Sequence, residues 1–229
     1  MSPGSGELDA FLRSIRPTCD GFAAWDDGDP WRLGAVLLAR SEDGFAAVRK
    51  APKRRYGFSG LWAMPGGMVR ARGENAAFER DVVDSVRARV AAESGLVVEC
   101  LNWGSGLGPV VTSYEVSGLR RYVIIVACVC DIPKPVSLKV SDTSIADAIW
   151  SEVPPPWAEF APANRLILGH LLWGELKPSE RHNAQPALLA ALAECTEAAR
   201  EIDWPAPFPP WEDASSLQVW RASWSPQTR

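Results

Sequence analysis

Apolar positions along this chain alternate between a helical and a strand period. Leu8, Phe11, Leu12 and Ile15 follow helical spacing and predict a short amphipathic helix over residues 7–15. Residues 31–38 and 44–49, separated by the polar stretch Ala39-Arg40-Ser41-Glu42-Asp43, predict two strands joined by a hairpin turn. From Asn75 the pattern becomes helical again. Phe78, Val82, Val86 and Val90 recur every four residues with Val83 beside them, Asn75 is a suitable N-cap, and Gly95 suits the helix end. Residues 97–101 and 121–130 read as strands from their β-branched content, and the second is almost wholly apolar, as a central strand should be. A short strand at 148–150 precedes the breaker Pro154-Pro155-Pro156. Leu166, Ile167, Leu171 and Leu172 predict a helix over 164–173, and an Ala- and Leu-rich stretch predicts another over 185–202. From Asp203 the chain is rich in Pro and Trp, with Trp204, Trp211, Trp220 and Trp224. Strands, helix, strands, helix is the order of an α/β/α sandwich.

Composition narrows the function classes. At 229 residues, 47% hydrophobic and 23% charged, the chain has the make-up of an ordinary folded protein of one or two domains. A net charge of −4 and the lack of a long Lys/Arg block argue against bulk nucleic-acid binding. The one basic cluster, Arg49-Lys50-Ala51-Pro52-Lys53-Arg54-Arg55, reads either as a solvated loop or as a patch that draws phosphate-bearing ligands. Cys19, Cys100, Cys128, Cys130 and Cys195 match neither a zinc site nor a disulfide framework, which points to a reducing cytoplasm. Cys128 and Cys130, two apart on a predicted strand, share a face and are expected to pack as small apolar groups. The start has no basic, apolar leader and no apolar run reaches ~18 residues, so neither secretion nor a membrane span is expected. His170 and His182 give a histidine triad or zinc site few candidates, and neither Gly57-Phe58-Ser59-Gly60 nor Gly104-Ser105-Gly106-Leu107-Gly108 has the spacing of a nucleophile elbow.

The most specific stretch is Gly60-Leu61-Trp62-Ala63-Met64-Pro65-Gly66-Gly67, whose paired glycines would let bare backbone approach a phosphate or a metal. Taken with Gly73-Glu74 and a helix that closes on Glu93-Ser94-Gly95-Leu96, it resembles the box of the Nudix hydrolase superfamily. The likeness runs from about Trp31 to Trp173 and includes the strand at 148–150 and the helix start Ala161-Pro162-Ala163-Asn164. It implies a Nudix-like α/β/α sandwich with a mixed sheet over residues 31–175. Flanking it would be an N-terminal helix and lead-in over 1–30 and a C-terminal helical and Trp/Pro-rich extension over 176–229. It also implies Mg²⁺ or Mn²⁺ held against a diphosphate by helix carboxylates. Hard cations take oxygen ligands, and carboxylates at i, i+3 and i+4 share one helix face.

The box is degenerate in those carboxylates. Counting back from Gly95, Glu93 falls on the last glutamate of the pattern and Val90 on its apolar position, but Ala92 and Arg89 stand where two further glutamates belong and Ala88 where an arginine belongs. Glu74 follows Gly67 one position late and lies six residues too far from the helix end. Asp84 is half a turn out of phase with Glu93 at about 100° per residue, and Glu79 and Asp81 are more than two turns away. Arg89, at i, i+4 from Glu93, is placed to pair with it in the space a divalent ion would need. That pair is either an ordinary helix salt bridge or the sign of a guanidinium that itself holds a ligand phosphate. Glu115 could supply an acid from outside the box, and Trp62 and the tail tryptophans read as packing residues.

Two functions follow from the resemblance and its gaps. One is a metal-dependent pyrophosphohydrolase of nucleoside diphosphate-linked substrates, with Glu93 and Glu74 catalytic, Glu93 a metal ligand, and the Gly66 and Gly67 backbone positioning the ion. The other is a catalytically silent Nudix domain that binds a nucleotide-like ligand or a protein partner, with Arg89, Arg54 and Arg55 taking the phosphate. The Trp-rich tail makes a homodimer an expectation in either case.

Overall fold

The computed structural model describes residues 31–52, 58–69, 78–103, 109–116, 119–204 and 220–222. The helix expected at 7–15 lies outside them, as do Cys19, Arg54, Arg55, Glu74, Asn75, Trp211 and Trp224.

The sheet is built around β1 (Trp31–Ser41), which is apolar on both residue parities. Because side chains alternate along a strand, Leu33, Ala35, Leu37 and Ala39 enter one core cluster while Val36 and Leu38 enter the other. A strand buried on both faces belongs in the middle of a sheet. β1 turns back into β2 (Gly44–Lys50) through a hairpin that pairs Arg40 with Phe45 and Ser41 with Gly44. On its other edge it runs parallel to β6 (Leu119–Asp131), from Trp31↔Tyr122 to Arg40↔Asp131. The short strands β3 (Trp62–Ala63) and β4 (Gly66–Met68) pair antiparallel with β2 and β1, and β7 (Ile145–Ser151) covers the free edge of β2. Beyond β6 lie β5 (Val110–Val116), antiparallel, and β8 (Trp220–Ala222), parallel to β5. The order β3-β2-β1-β6-β5-β8 makes one mixed sheet.

Helices cover both faces. Val82, Val86 and Val90 form the buried stripe of α1 (Phe78–Ser94), the i, i+4 pattern that the sequence shows, and they pack on Leu33, Leu37 and Ile124. On the opposite face Leu166, Ile167 and Leu172 of α2 (Pro162–Trp173) and Leu188, Ala191 and Cys195 of α3 (Pro178–Arg200) close over Val36, Leu38 and Phe45. The result is the α/β/α sandwich with a mixed sheet. Among the described residues no helix is long and apolar enough to cross a membrane.

Three elements differ from the sequence expectation. Residues 97–101 are not a strand: Leu96, Val98 and Leu101 are buried against α1, Val97 is 85% exposed, and the only ladder contact among the described residues is an isolated bridge between Asn102 and Val129. The alternation there reflects a loop half-sunk in the core. Val110–Val116 is a strand although no strand was expected there, so Glu115 sits on β5, paired with Arg120 at the surface, and not in a loop between strands. Finally, α3 begins at Pro178, seven residues before the expected start and in a polar stretch that hides its first turns. Pro178 occupies the first helical turn, and the Glu180 carboxylate accepts the Lys177 N–H at 2.8 Å. Trp204 packs as expected, with its ring 5.6 Å from that of Tyr122.

One buried cation joins α2 and α3. Arg165 is 1% exposed and donates to the carbonyls of Phe160 and Ala158, both at 2.8 Å, and to Glu194 Oε2 at 2.8 Å. It therefore holds the 3-10 turn Trp157–Glu159, α2 and α3 together at one point. Replacing it with Met orphans two carbonyls, whereas Glu194 is 38% exposed and can be hydrated. Arg165→Met is expected to cost roughly 3–5 kcal/mol and lower the melting midpoint by ~10 °C. Arg165→Lys should recover little, because an ammonium cannot span the same fork, while Glu194→Gln should move the midpoint by only a few degrees. Calorimetric melts of the three variants check the order.

Candidate functional site

The site forms where the end of α1 meets β4. Pro65 turns the chain into β4: its carbonyl accepts Leu37 N–H at 2.9 Å, after which Gly66, Gly67 and Met68 pair with Val36, Ala35 and Gly34. Gly66 has φ +145°, and a Cβ built there would lie 2.3 Å from the Ala35 carbonyl oxygen, so only glycine fits. A Cβ at Gly67 would lie 3.0 Å from Arg89 Nε. What the bare backbone admits at these two positions is therefore the protein itself, a neighbouring strand at Gly66 and the Arg89 guanidinium at Gly67.

Glu93 lies one residue before the end of α1 and is fully buried. Its Oε1 accepts from Arg89 Nη2 at 2.7 Å and from Lys50 Nζ at 3.1 Å, and its Oε2 accepts from the Gly66 N–H at 2.9 Å. The helix ends there because Gly95 takes φ +76° and returns its N–H to the Ala91 carbonyl at 2.9 Å. Two further terminal carbonyls, those of Ala92 and Ser94, are met by the segment before β7. Lys139 N–H bonds Ser94 O at 2.8 Å, and Ser141 and Asp142 N–H bond Ala92 O at 2.9 and 3.0 Å. That docking carries Asp142 onto Arg89 Nη1 at 2.7 Å. Lys50, Glu93, Arg89 and Asp142 thus form a chain of alternating charge that connects β2, α1 and the 139–144 segment.

Burial pushes the Asp142 carboxyl up. Hydrogen bonds from Ser144, with the charges of Arg89 and Lys50, outweigh that and leave its pKa below the ordinary carboxylate value. Desolvation pushes the Cys128 thiol well up and the Cys195 thiol to about 11, so neither is a thiolate nucleophile near neutral pH.

The metal that the sequence resemblance implies does not fit these residues. A divalent ion on Glu93 would sit against the Arg89 guanidinium and the Lys50 ammonium, both already on Oε1, and like charges a few ångströms apart repel. Among the described residues no three His, Cys, Asp or Glu side chains come together to hold a metal. Of the residues expected at the site, Gly66, Gly67, Arg89 and Glu93 converge, whereas Arg54, Arg55 and Glu74 lie outside the described residues.

Above this cluster opens a cavity of about 440 Å³. Lys50, Arg89 and Asp142 line one side, and Val36, Met64, Val123 and Ile125 line another. Phe58 and Tyr114, with ring centroids 5.7 Å apart, and Asn164 add to its walls. Asn164 Oδ1 accepts Met64 N–H at 2.7 Å, which commits its oxygen to the fold and leaves its amide N–H groups as what it can offer the cavity. Sequence reasoning missed Asp142, Thr112 and Tyr114 as site residues. The β-branched run Val110-Val111-Thr112 was a usable strand signal for the last two; nothing local marks Asp142.

Neither a protein-family model nor a curated protein matches the chain. Solved structures similar to it include the MutT Nudix hydrolase from Burkholderia pseudomallei, 15% identical over 62% of this chain and 99% of that one, with a TM-score of 0.45. The MutT protein from Methanosarcina mazei Go1 is 19% identical over 54% of this chain and 78% of that one, with a TM-score of 0.40. The Nudix domain of Shewanella oneidensis NrtR, complexed with ADP ribose, is 15% identical over 56% and 78%, with a TM-score of 0.41. All three scores are below 0.5, and the chemistry of the site is set by this chain's own residues.

Breaking a buried ion pair from one side costs roughly 3–5 kcal/mol, and less here because Arg89 is 34% exposed and Lys50 remains. Arg89→Ala is expected to lower the melting midpoint by ~4–8 °C. The double variant Arg89→Ala/Glu93→Gln should melt higher than Arg89→Ala alone, since a fully buried carboxylate left with only Lys50 and the Gly66 N–H costs more than a neutral amide in the same place. Asp142 has a folded-state pKa below its unfolded one, so its contribution is complete above the unfolded value near ~3.9 and is lost as pH falls through the folded value. Melts between neutral pH and about pH 3 should therefore show wild type losing more stability on acidification than Asp142→Asn.

Proposed function

We propose that this Nudix-like domain binds a nucleotide-like small molecule in the cavity beside Pro65-Gly66-Gly67, without a divalent metal and without efficient pyrophosphate hydrolysis. The observation that supports it is that Glu93, sealed from water, is already bonded by Arg89, Lys50 and the Gly66 N–H. Hydrolysis of the Nudix kind needs several carboxylates to concentrate positive charge on the diphosphate; here the helix presents a cation at the position of one of them and Ala92 at another. A cavity of about 440 Å³ with apolar walls and a few polar groups is of a size and kind that takes small molecules.

The assay is a screen of ADP ribose and other nucleoside diphosphate derivatives with Mg²⁺ and Mn²⁺. No turnover above background is expected, and ligand binding measured by calorimetry should be unchanged by EDTA. Metal-dependent turnover that disappears in Glu93→Gln overturns the proposal.

A further inference from the structure

The cavity contains one group that the fold leaves unused. Thr112, on β5, is 1% exposed, lines the cavity, and its hydroxyl has no hydrogen-bond partner among the described residues. Buried hydroxyls are rarely left so, because losing water without gaining a partner is unfavourable. Its place in the strand explains the direction: Thr112 shares the sheet face of Val110, which lies in the cluster beneath α2, and stands opposite Val123 on β6. Aliphatic neighbours such as Val123 and Ile125 give a water molecule there few further partners.

The charged side of the same cavity has the opposite property. Lys50 and Arg89 are the cations that line it among the described residues, and both are already paired, Lys50 with Glu93 at 3.1 Å and Arg89 with Glu93 and Asp142 at 2.7 Å each. Among the described residues the two cations are balanced by the two carboxylates, so the wall offers a diphosphate spare N–H groups but no net positive charge, and a cation drawn fully onto it would leave Glu93 short of partners away from water. The aromatic pair Phe58 and Tyr114 and the side chain of Met64 instead present apolar faces against which a flat ring can lie.

We infer that the cavity takes an uncharged, ring-bearing molecule of nucleoside size, that the ring and not a phosphate is what is recognised, and that the Thr112 hydroxyl is a specificity-determining contact to a polar group on that ring. This rests on the proposed metal-free binding, but it names a ligand class that the Nudix resemblance does not.

The test is calorimetric titration of the full chain, in EDTA, with adenosine, guanosine, cytidine, uridine and the 5′-diphosphate of each. At least one nucleoside should bind, with its diphosphate no tighter. Thr112→Val should weaken that nucleoside about three- to tenfold, and Thr112→Ser should restore most of the loss. Thr112→Val should not lower the melting midpoint, since it removes an unpartnered hydroxyl while keeping the shape, and this separates a binding defect from a folding one. Binding of no nucleoside, a diphosphate at least ~tenfold tighter than its nucleoside, or equal binding by wild type and Thr112→Val overturns the inference. Tight diphosphate binding in EDTA would do so while leaving metal-free binding intact; binding or turnover seen only with Mg²⁺ or Mn²⁺ would overturn both.

Discussion

A carboxylate fully removed from water at the end of a helix has to be met by cations and N–H groups, and the geometry around Glu93 is arranged to do so. Arg89 comes from the same helix one turn back, Lys50 from the end of β2, and the Gly66 N–H from β4. Each of these fixes an element. Gly66 has to be glycine because a strand lies against it at a positive φ, the Arg89 guanidinium lies against Gly67, and the 139–144 segment, docked on the helix end, brings Asp142 to complete the charge balance on Arg89. Four separate parts of the chain are held by one buried charge.

The same physics has a different outcome on the other face of the sheet. Here the buried charge is a cation, Arg165, whose partners are the carbonyls of Ala158 and Phe160 in and just after the 3-10 turn and a part-exposed glutamate of α3, so it works as a clamp between elements. Its effect on the site is indirect. By fixing the start of α2 it places Asn164, which bonds the Met64 N–H and so sets the chain entering Pro65-Gly66-Gly67 from the side opposite Glu93. The cavity walls are therefore held by two ionic anchors on two faces of one sheet, as expected of a largely preformed pocket.

Some of this was legible in the residues. The valine stripe of α1, its end at Gly95, the doubly apolar strands β1 and β6, and the helices α2 and α3 all carry periodic signals, because each buries a repeating face. The failures have equally local causes. Residues 97–101 alternate like a strand but have no ladder partner among the described residues beyond Asn102, and the first turns of α3 are polar because that end of the helix lies at the surface. β5 was overlooked although its β-branched run is a usable signal, because Ser113 and Glu115 break the apolar pattern, and Thr112 went with it.

By itself the sequence determined the layered fold and the pairing of Arg89 with Glu93, since i and i+4 meet on any α-helix whatever surrounds it. Only the tertiary structure decided that Glu93 is sealed from water and that Lys50 and Asp142, 43 and 53 residues away from their partners, complete the cluster. Helix geometry is a property of a short stretch of chain, whereas those two contacts depend on how β2 and the 139–144 segment close around α1. That closure turned a helix with one surviving acidic position into a charge-balanced wall beside an apolar cavity.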